Sequence, residues 1–237
     1  MTVATGAALR TFGRRAQADP RDLRYLLSTS DPERVTGVPV RRITVARGPV
    51  YDQEDKPLGI ACALLAALHA APQRIGPGRT PHPDVLDVAA QALVGSLLGQ
   101  GETLTLRSGC QALRHLHLID GYHWSFDLDE IVSYLGSGRG LVLGLEWYAG
   151  MSKPDETGLI RAWGKPEGGH AVFAFGVDPA SRMVLLQNSW GEGWGGWVAR
   201  LGHQRDYKGC ARLPYDDLKK LLAGNGEAVA LEKRRLR

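Results

Sequence analysis

Helical periodicity dominates the first half of the chain. A continuous apolar run predicts a helix at 63–71, and apolar residues spaced three to four apart predict a second helix within 85–97. Clusters of Gly and Pro between these two runs separate them. Two more helices are predicted at 108–116 and 127–135, with Ser108 as the N-cap of the earlier one.

Strand-like patterns occupy the second half. Short runs rich in Val, Leu and Phe lie at 141–145, 170–177, Met183–Gln187 and 196–201, with turns of Gly, Asp and Pro between them. Such runs predict a curled antiparallel sheet. The chain is therefore expected to have an α+β fold with two lobes, one helical and one built on the sheet.

These patterns also divide the chain along its length. Residues 1–49 form an irregular arm that is expected to pack on the domain. A single domain follows at 50–237, with the helical lobe at about 50–139, the β lobe at about 140–225 and a basic C-terminal tail. No internal repeat or low-complexity linker indicates a second domain.

Composition narrows the class of protein. The 237 residues are 43% hydrophobic and 23% charged, which is typical of a soluble globular chain, and no apolar run is long enough to cross a membrane. The net charge of +4 comes largely from terminal arginines and lysines, and no motif for nucleic-acid binding accompanies it. The first 22 residues lack the apolar stretch of a signal peptide, so a cytoplasmic location is expected.

Cysteine usage agrees with a reducing compartment. The chain has three cysteines, and one of them, Cys62, is a candidate nucleophile. At most Cys110 and Cys210 remain for a disulfide bridge. Neither a metal site nor a cofactor is expected, because the histidine and cysteine spacing matches no zinc pattern.

Three residues carry the candidate chemistry. His170 and Asn188 lie at the facing ends of two strand-like runs that a turn joins, and Cys62 lies far upstream, directly before the predicted helix at 63–71. Order and context match a Cys-His-Asn triad. A helix N-terminus and an imidazolium would lower the thiol pKa of Cys62, His170 would protonate the leaving group, and Asn188 would accept from the other ring nitrogen.

Two more side chains complete this hypothesis. The Gln53 amide, together with the Cys62 backbone N–H, is expected to form an oxyanion hole. Trp190 is expected to shield the hydrogen bond between His170 and Asn188 from water.

At these positions the chain resembles the papain-like cysteine peptidases. The matching stretches are Asp52-Gln53, Gly59-Ile60-Ala61-Cys62, Gly169-His170-Ala171-Val172 and Asn188-Ser189-Trp190-Gly191-Glu192-Gly193-Trp194-Gly195. Segments at 19–25 and 144–151 are similar to ones in short bacterial and phage-encoded members. The resemblance implies a two-lobed papain-like fold with the active site between the lobes.

The resemblance also implies a reaction and a substrate. A thiolate-imidazolium pair would hydrolyse peptide or amide bonds through an acyl-enzyme, with transfer to an amine as a variant of the same step. The substrate would be a peptide or protein lying in the cleft, along Trp147, Gly169 and Trp190.

One departure from the family pattern keeps a second hypothesis open. Glu54 to Leu58 lengthen the segment between Gln53 and Cys62, and Ile60-Ala61 replace the usual Gly-Ser. The alternative is a catalytically inactive papain-fold protein with a binding or assembly role. A cell-wall amidase of another superfamily is a third possibility, which the NSWG block disfavours.

Overall fold

The computed structural model describes residues 12, 14–15, 19–30, 39, 41–93, 104–197 and 207–233. Its α-helices are α1 Leu27–Ser30, α2 Gly59–His69, α3 Pro83–Leu93, α4 Leu106–His115, α5 Leu128–Gly136, α6 Ala149–Ser152 and α7 Tyr215–Ala223. Its strands are β1 Ile43–Thr44, β2 Ile119–Ser125, β3 Leu141–Tyr148, β4 Pro166–Asp178, β5 Met183–Gln187, β6 Cys210–Pro214 and β7 Glu227–Lys233.

All these strands belong to one antiparallel sheet. Its order is β2-β7-β3-β4-β5-β6, and β1 pairs with β4 outside that path. β4 is the longest described strand, with 13 residues, and it pairs with β3, β5 and β1. Helices and sheet together confirm the expected α+β class.

β4 has an apolar core on each face. Ala171 and Phe173 belong to the core shared with α2 and α4, whereas Val172 and Ala174 belong to the core shared with α5 and α7. Successive side chains of a strand point to opposite faces, so a strand covered on both sides reads as a continuous apolar run. The sequence of β4 has that form.

Helix α2 lies at the centre of the helical lobe. Every residue from Gly59 to Leu68 is buried, and the helix packs against β4, α3 and α4. A helix that is enclosed on all sides has no polar face, which explains its run of Ala and Leu. It begins at Gly59 and ends at His69, so the predicted helix at 63–71 is corrected: Cys62 lies inside the helix rather than directly before it.

Four strands, β1, β2, β6 and β7, lie where the sequence patterns predicted none. β2 falls inside the segment assigned to the helical lobe, and β7 follows the segment assigned to the β lobe. β7 pairs with both β2 and β3, so it joins these two parts of the chain in one sheet. The period of β2 is irregular because a register shift interrupts it between Ile119 and Gly121.

Other boundaries shift by small amounts. The N-cap of α4 is Thr105 rather than Ser108, and its hydroxyl accepts from the Ser108 backbone N–H at 3.2 Å. Gly196 and Trp197 are not in a strand, and 198–201 lie outside the described residues, as do 94–97 of the second predicted helix. The described helices have at most 11 residues, and none could cross a membrane.

The burial of α2 predicts a large effect of truncating its central leucine. Leu64 is fully buried against β4 and α4, so Leu64→Ala is expected to lower the free energy of unfolding by about 2–5 kcal/mol, through lost burial and the cavity left behind. Leu93→Ala removes the same atoms from a side chain that is 41% exposed, and is expected to cost much less. Urea denaturation of the two variants measures the difference, and equal losses would contradict the central position of α2.

Candidate functional site

His170 and Asn188 meet where β4 and β5 run side by side. His170 belongs to β4, and Asn188 follows the last residue of β5. The His170 Nε2 donates to Asn188 Oδ1 at 2.7 Å, and the same oxygen accepts from the Ser189 backbone N–H at 2.8 Å. Both side chains are buried, so this hydrogen bond fixes the plane and the direction of the imidazole.

Aromatic rings enclose the imidazole. The ring of Trp190 stacks on His170 with centroids 4.9 Å apart, and Trp147 meets it edge-on at 5.1 Å. Trp194 contacts both tryptophans. These rings exclude water from the His170 to Asn188 hydrogen bond, and a hydrogen bond in such a low-dielectric setting is stronger than one in water.

Gly59 faces the Nδ1 edge of the imidazole, whereas Asn188 bonds to Nε2. A Cβ atom added to Gly59 would lie 2.9 Å from both Nδ1 and Cε1 of His170 and 3.4 Å from Oε1 of Gln53. Gly59 is the first residue of α2, where the helix dipole is positive. The position between the imidazole, the glutamine and the helix N-terminus is therefore occupied by a residue without a side chain.

Cys62 lies one turn further along α2, about 4.5 Å along the helix axis from Gly59. Its surroundings include Tyr51, Ala171 and Asn188, and they leave no space for a water molecule. Burial raises the pKa of the Cys62 thiol to about 12, with Asp84 contributing in the same direction. The Cys62 side chain is thus a buried neutral thiol, and none of the three cysteines is in a disulfide.

The expected oxyanion hole is also arranged differently. The Cys62 backbone N–H donates to the Leu58 carbonyl at 2.9 Å, so it is part of the helix hydrogen bonding. Gln53 does lie at the site: its Oε1 accepts from Ser189 Oγ at 2.6 Å and its Nε2 donates to the Lys56 carbonyl at 2.8 Å. The expected partnership of Gln53 with the Cys62 N–H is therefore not formed.

The N-terminal arm reaches the same site. The Gly169 carbonyl, which we expected to face a substrate, accepts from the Arg14 backbone N–H at 3.0 Å. Phe12 packs edge-on against both His170 and Trp190, with centroids 5.9 and 6.0 Å away. Trp147 and Trp190 are buried behind this arm, so they support the imidazole from within.

Sequence reasoning missed Gly59, Phe12 and Arg14. A signal for Gly59 was present, because the apolar run starts at Leu58 and extends without interruption to Leu68, so a helix start before Cys62 was the simpler interpretation. Phe12 and Arg14 carried no such signal. They lie in an irregular segment, and only the tertiary fold brings them to β4.

Comparisons with known proteins are informative for the fold. No family model and no curated protein sequence matches the chain. Solved structures do: xylellain, a cysteine protease from Xylella fastidiosa, superposes with a TM-score of 0.73 at 18% identity, over 99% of this chain and 100% of that one.

More distant structures show the same architecture. Digestive procathepsin L 3 of Tenebrio molitor larval midgut has a TM-score of 0.59 at 13% identity, over 94% of this chain and 76% of its own. The bromelain protease from Ananas comosus, in complex with the E64 inhibitor, has a TM-score of 0.57 at 14% identity, over 86% of this chain and 96% of its own. The chain therefore has the papain-like fold, as the sequence resemblance implied.

The placement of Cys62 predicts an unreactive thiol. Because burial raises its pKa to about 12, the thiolate is scarce at neutral pH, and haloacetamide alkylation of Cys62 is expected to be slow and to rise with pH up to about pH 9 without a plateau. His170→Ala is expected to leave this rate unchanged. Intact mass and peptide mapping measure it, and rapid alkylation below about pH 7 that disappears in His170→Ala would contradict the geometry.

Proposed function

We propose that this papain-fold protein binds extended peptide segments in the cleft between its lobes and does not cleave them by thiol chemistry. The observation that carries the proposal is Gly59. It stands where the imidazole of His170, the amide of Gln53 and the N-terminus of α2 converge, and it supplies no atom that could attack a carbonyl.

Acyl transfer requires a nucleophilic side chain, and Gly59 does not supply one. A nucleophilic thiol must lie within hydrogen-bonding reach of its base, and the base must be oriented by a third group. His170 and Asn188 meet the second requirement, with a hydrogen bond of 2.7 Å. The first is unmet at Gly59, so the pair retains its orientation without a nucleophile to deprotonate.

Hydrolysis through Cys62 is the competing hypothesis. This hypothesis is supported by the similarity to cysteine proteases, which is a similarity of fold. Against it stand the raised pKa of the Cys62 thiol, the absence of room for a water molecule beside it, and the helix hydrogen bond of its backbone N–H. A substrate carbonyl would have to enter a space that already packed side chains fill.

The cleft keeps features that suit binding. The carbonyl of Gly169 is an acceptor at the start of β4, where a peptide backbone can add to the strand. The rings of Trp190 and His170, which Phe12 covers, would form an aromatic surface next to it once that ring is displaced. Backbone hydrogen bonds then provide affinity, and the aromatic surface selects among side chains.

Restoring a thiol at the convergent position tests the proposal. Gly59→Cys places a sulfur next to His170 and at the N-terminus of α2, and both lower the pKa of a thiol. Alkylation at position 59 is therefore expected to have its pH midpoint below about pH 7, in contrast to an ordinary thiol near pH 8.5. The His170 ring must shift slightly to admit the new Cβ. Peptide mapping across a pH series measures the midpoint.

Two controls accompany this variant. Gly59→Cys combined with His170→Ala is expected to raise the midpoint toward that of an ordinary thiol, because only the N-terminus of α2 then lowers the thiol pKa. Gly59→Ser tests the added bulk without a reactive sulfur. The proposal fails if the wild-type chain forms an acyl adduct on Cys62 with a peptide substrate, or if Gly59→Cys titrates like an ordinary thiol with His170 present.

A further inference from the structure

A short part of the N-terminal arm already lies in the cleft as a peptide would. Phe12 covers the imidazole of His170, and its atoms come within 3.3 Å of the place where a Cβ on Gly168 would be. A side chain at Gly168 would press on this ring, and its φ of +141° also favours glycine. The ring of Phe12 therefore fills an aromatic subsite formed by Gly168, His170 and Trp190.

The backbone of the arm pairs with the start of β4. The Arg14 N–H donates to the Gly169 carbonyl at 3.0 Å, and the Arg14 carbonyl oxygen lies 2.3 Å from where a Cβ of Gly169 would be. This approach is possible only because Gly169 has no side chain. The next residue, Arg15, donates its N–H to the Leu104 carbonyl of the helical lobe at 2.8 Å, so the arm bridges both lobes.

Arg14, two residues after Phe12, occupies a second subsite, which binds a cation. The Arg14 guanidinium is buried, with Nε 3.0 Å from Glu227 Oε1 and a terminal nitrogen 2.8 Å from the Asn225 carbonyl. Glu227 is the first residue of β7 and is itself buried. A buried carboxylate needs a partner, so this subsite selects for a cationic side chain.

We propose that the cleft recognises extended peptides with an aromatic side chain two residues before an arginine, and that Phe12 and Arg14 are the resident copy of this pattern. The inference rests on the proposed peptide-binding function and names its ligand class. An external peptide would add to β4 at Gly169, place its aromatic ring on His170 and Trp190, and pair its arginine with Glu227.

Competition with the arm follows from this arrangement. A segment tethered to its own site has an effective concentration of about millimolar, so a free peptide with the same pattern must compete against it. Weakening the resident ring should therefore raise the affinity for a peptide added in solution.

The experiment uses a fluorescein-labelled peptide that copies residues 8–19, added to the full-length chain. Fluorescence anisotropy is expected to show about tenfold tighter binding to the Phe12→Ala variant than to the wild type, because the tethered competitor is weakened. Leu93→Ala is the control: it removes an apolar side chain that is 41% exposed on α3 and that lines neither subsite. Its affinity should equal that of the wild type, and a peptide with Ala in place of its Phe should lose binding.

A second pair of variants tests the backbone contact. Gly169→Ala added to Phe12→Ala places a methyl group on the path of the peptide, so binding is expected to be lost. Gly193→Ala added to Phe12→Ala is the control, since no heavy atom lies within 4 Å of its new Cβ. Equal peptide affinity of the wild type and Phe12→Ala, or full binding in the Gly169→Ala double variant, would overturn the inference.

Access to position 59 gives an independent measurement. Phe12 covers His170, so adding Phe12→Ala to Gly59→Cys is expected to speed alkylation at position 59 without moving its pH midpoint. If Phe12→Ala leaves the alkylation rate at position 59 unchanged, the arm does not occupy the cleft. The two proposals fail in different ways: mass analysis that finds the labelled peptide cleaved by the wild-type chain refutes the proposed function, whereas the affinity comparison decides the ligand class.

Discussion

The close approach of the first turn of α2 to β4 is the contact on which the site depends. Gly59 allows it, because any side chain there would lie within 2.9 Å of two atoms of the His170 ring. α2 is buried along its length and cannot move without disturbing the core that it shares with β4 and α4. Apolar packing, rather than a polar contact, therefore sets the distance between the helix N-terminus and the imidazole.

The polar groups of the site are ordered by this packing and protected by it. His170 and Asn188 form their hydrogen bond behind the rings of Trp147 and Trp190, and Phe12 closes the remaining side. An imidazole held in one orientation serves a catalytic step, and it serves equally as a fixed surface for a ligand. The papain-like fold therefore holds the imidazole in one orientation beside a helix N-terminus at which Gly59 supplies no side chain.

Local patterns predicted the elements with strong periodicity and failed where long-range pairing dominates. The continuous apolar runs of α2, β4 and β5 were readable because burial on both sides leaves a plain signature in the sequence. β2 was missed because a register shift breaks its alternation, and β7 because its charged residues resemble a solvated tail. Each of these strands forms through pairing with the other, across more than a hundred residues of chain.

The sequence by itself determined the fold class and the residues Gln53, His170 and Asn188, because specific motifs and strand periodicity are local properties. It also contained Cys62, but which residue of α2 faces the imidazole depends on where the helix starts and how it rotates against β4. Only tertiary packing decided this, in favour of Gly59. The same holds for Phe12 and Arg14, whose position comes from a β4 backbone that two glycines leave open to close approach.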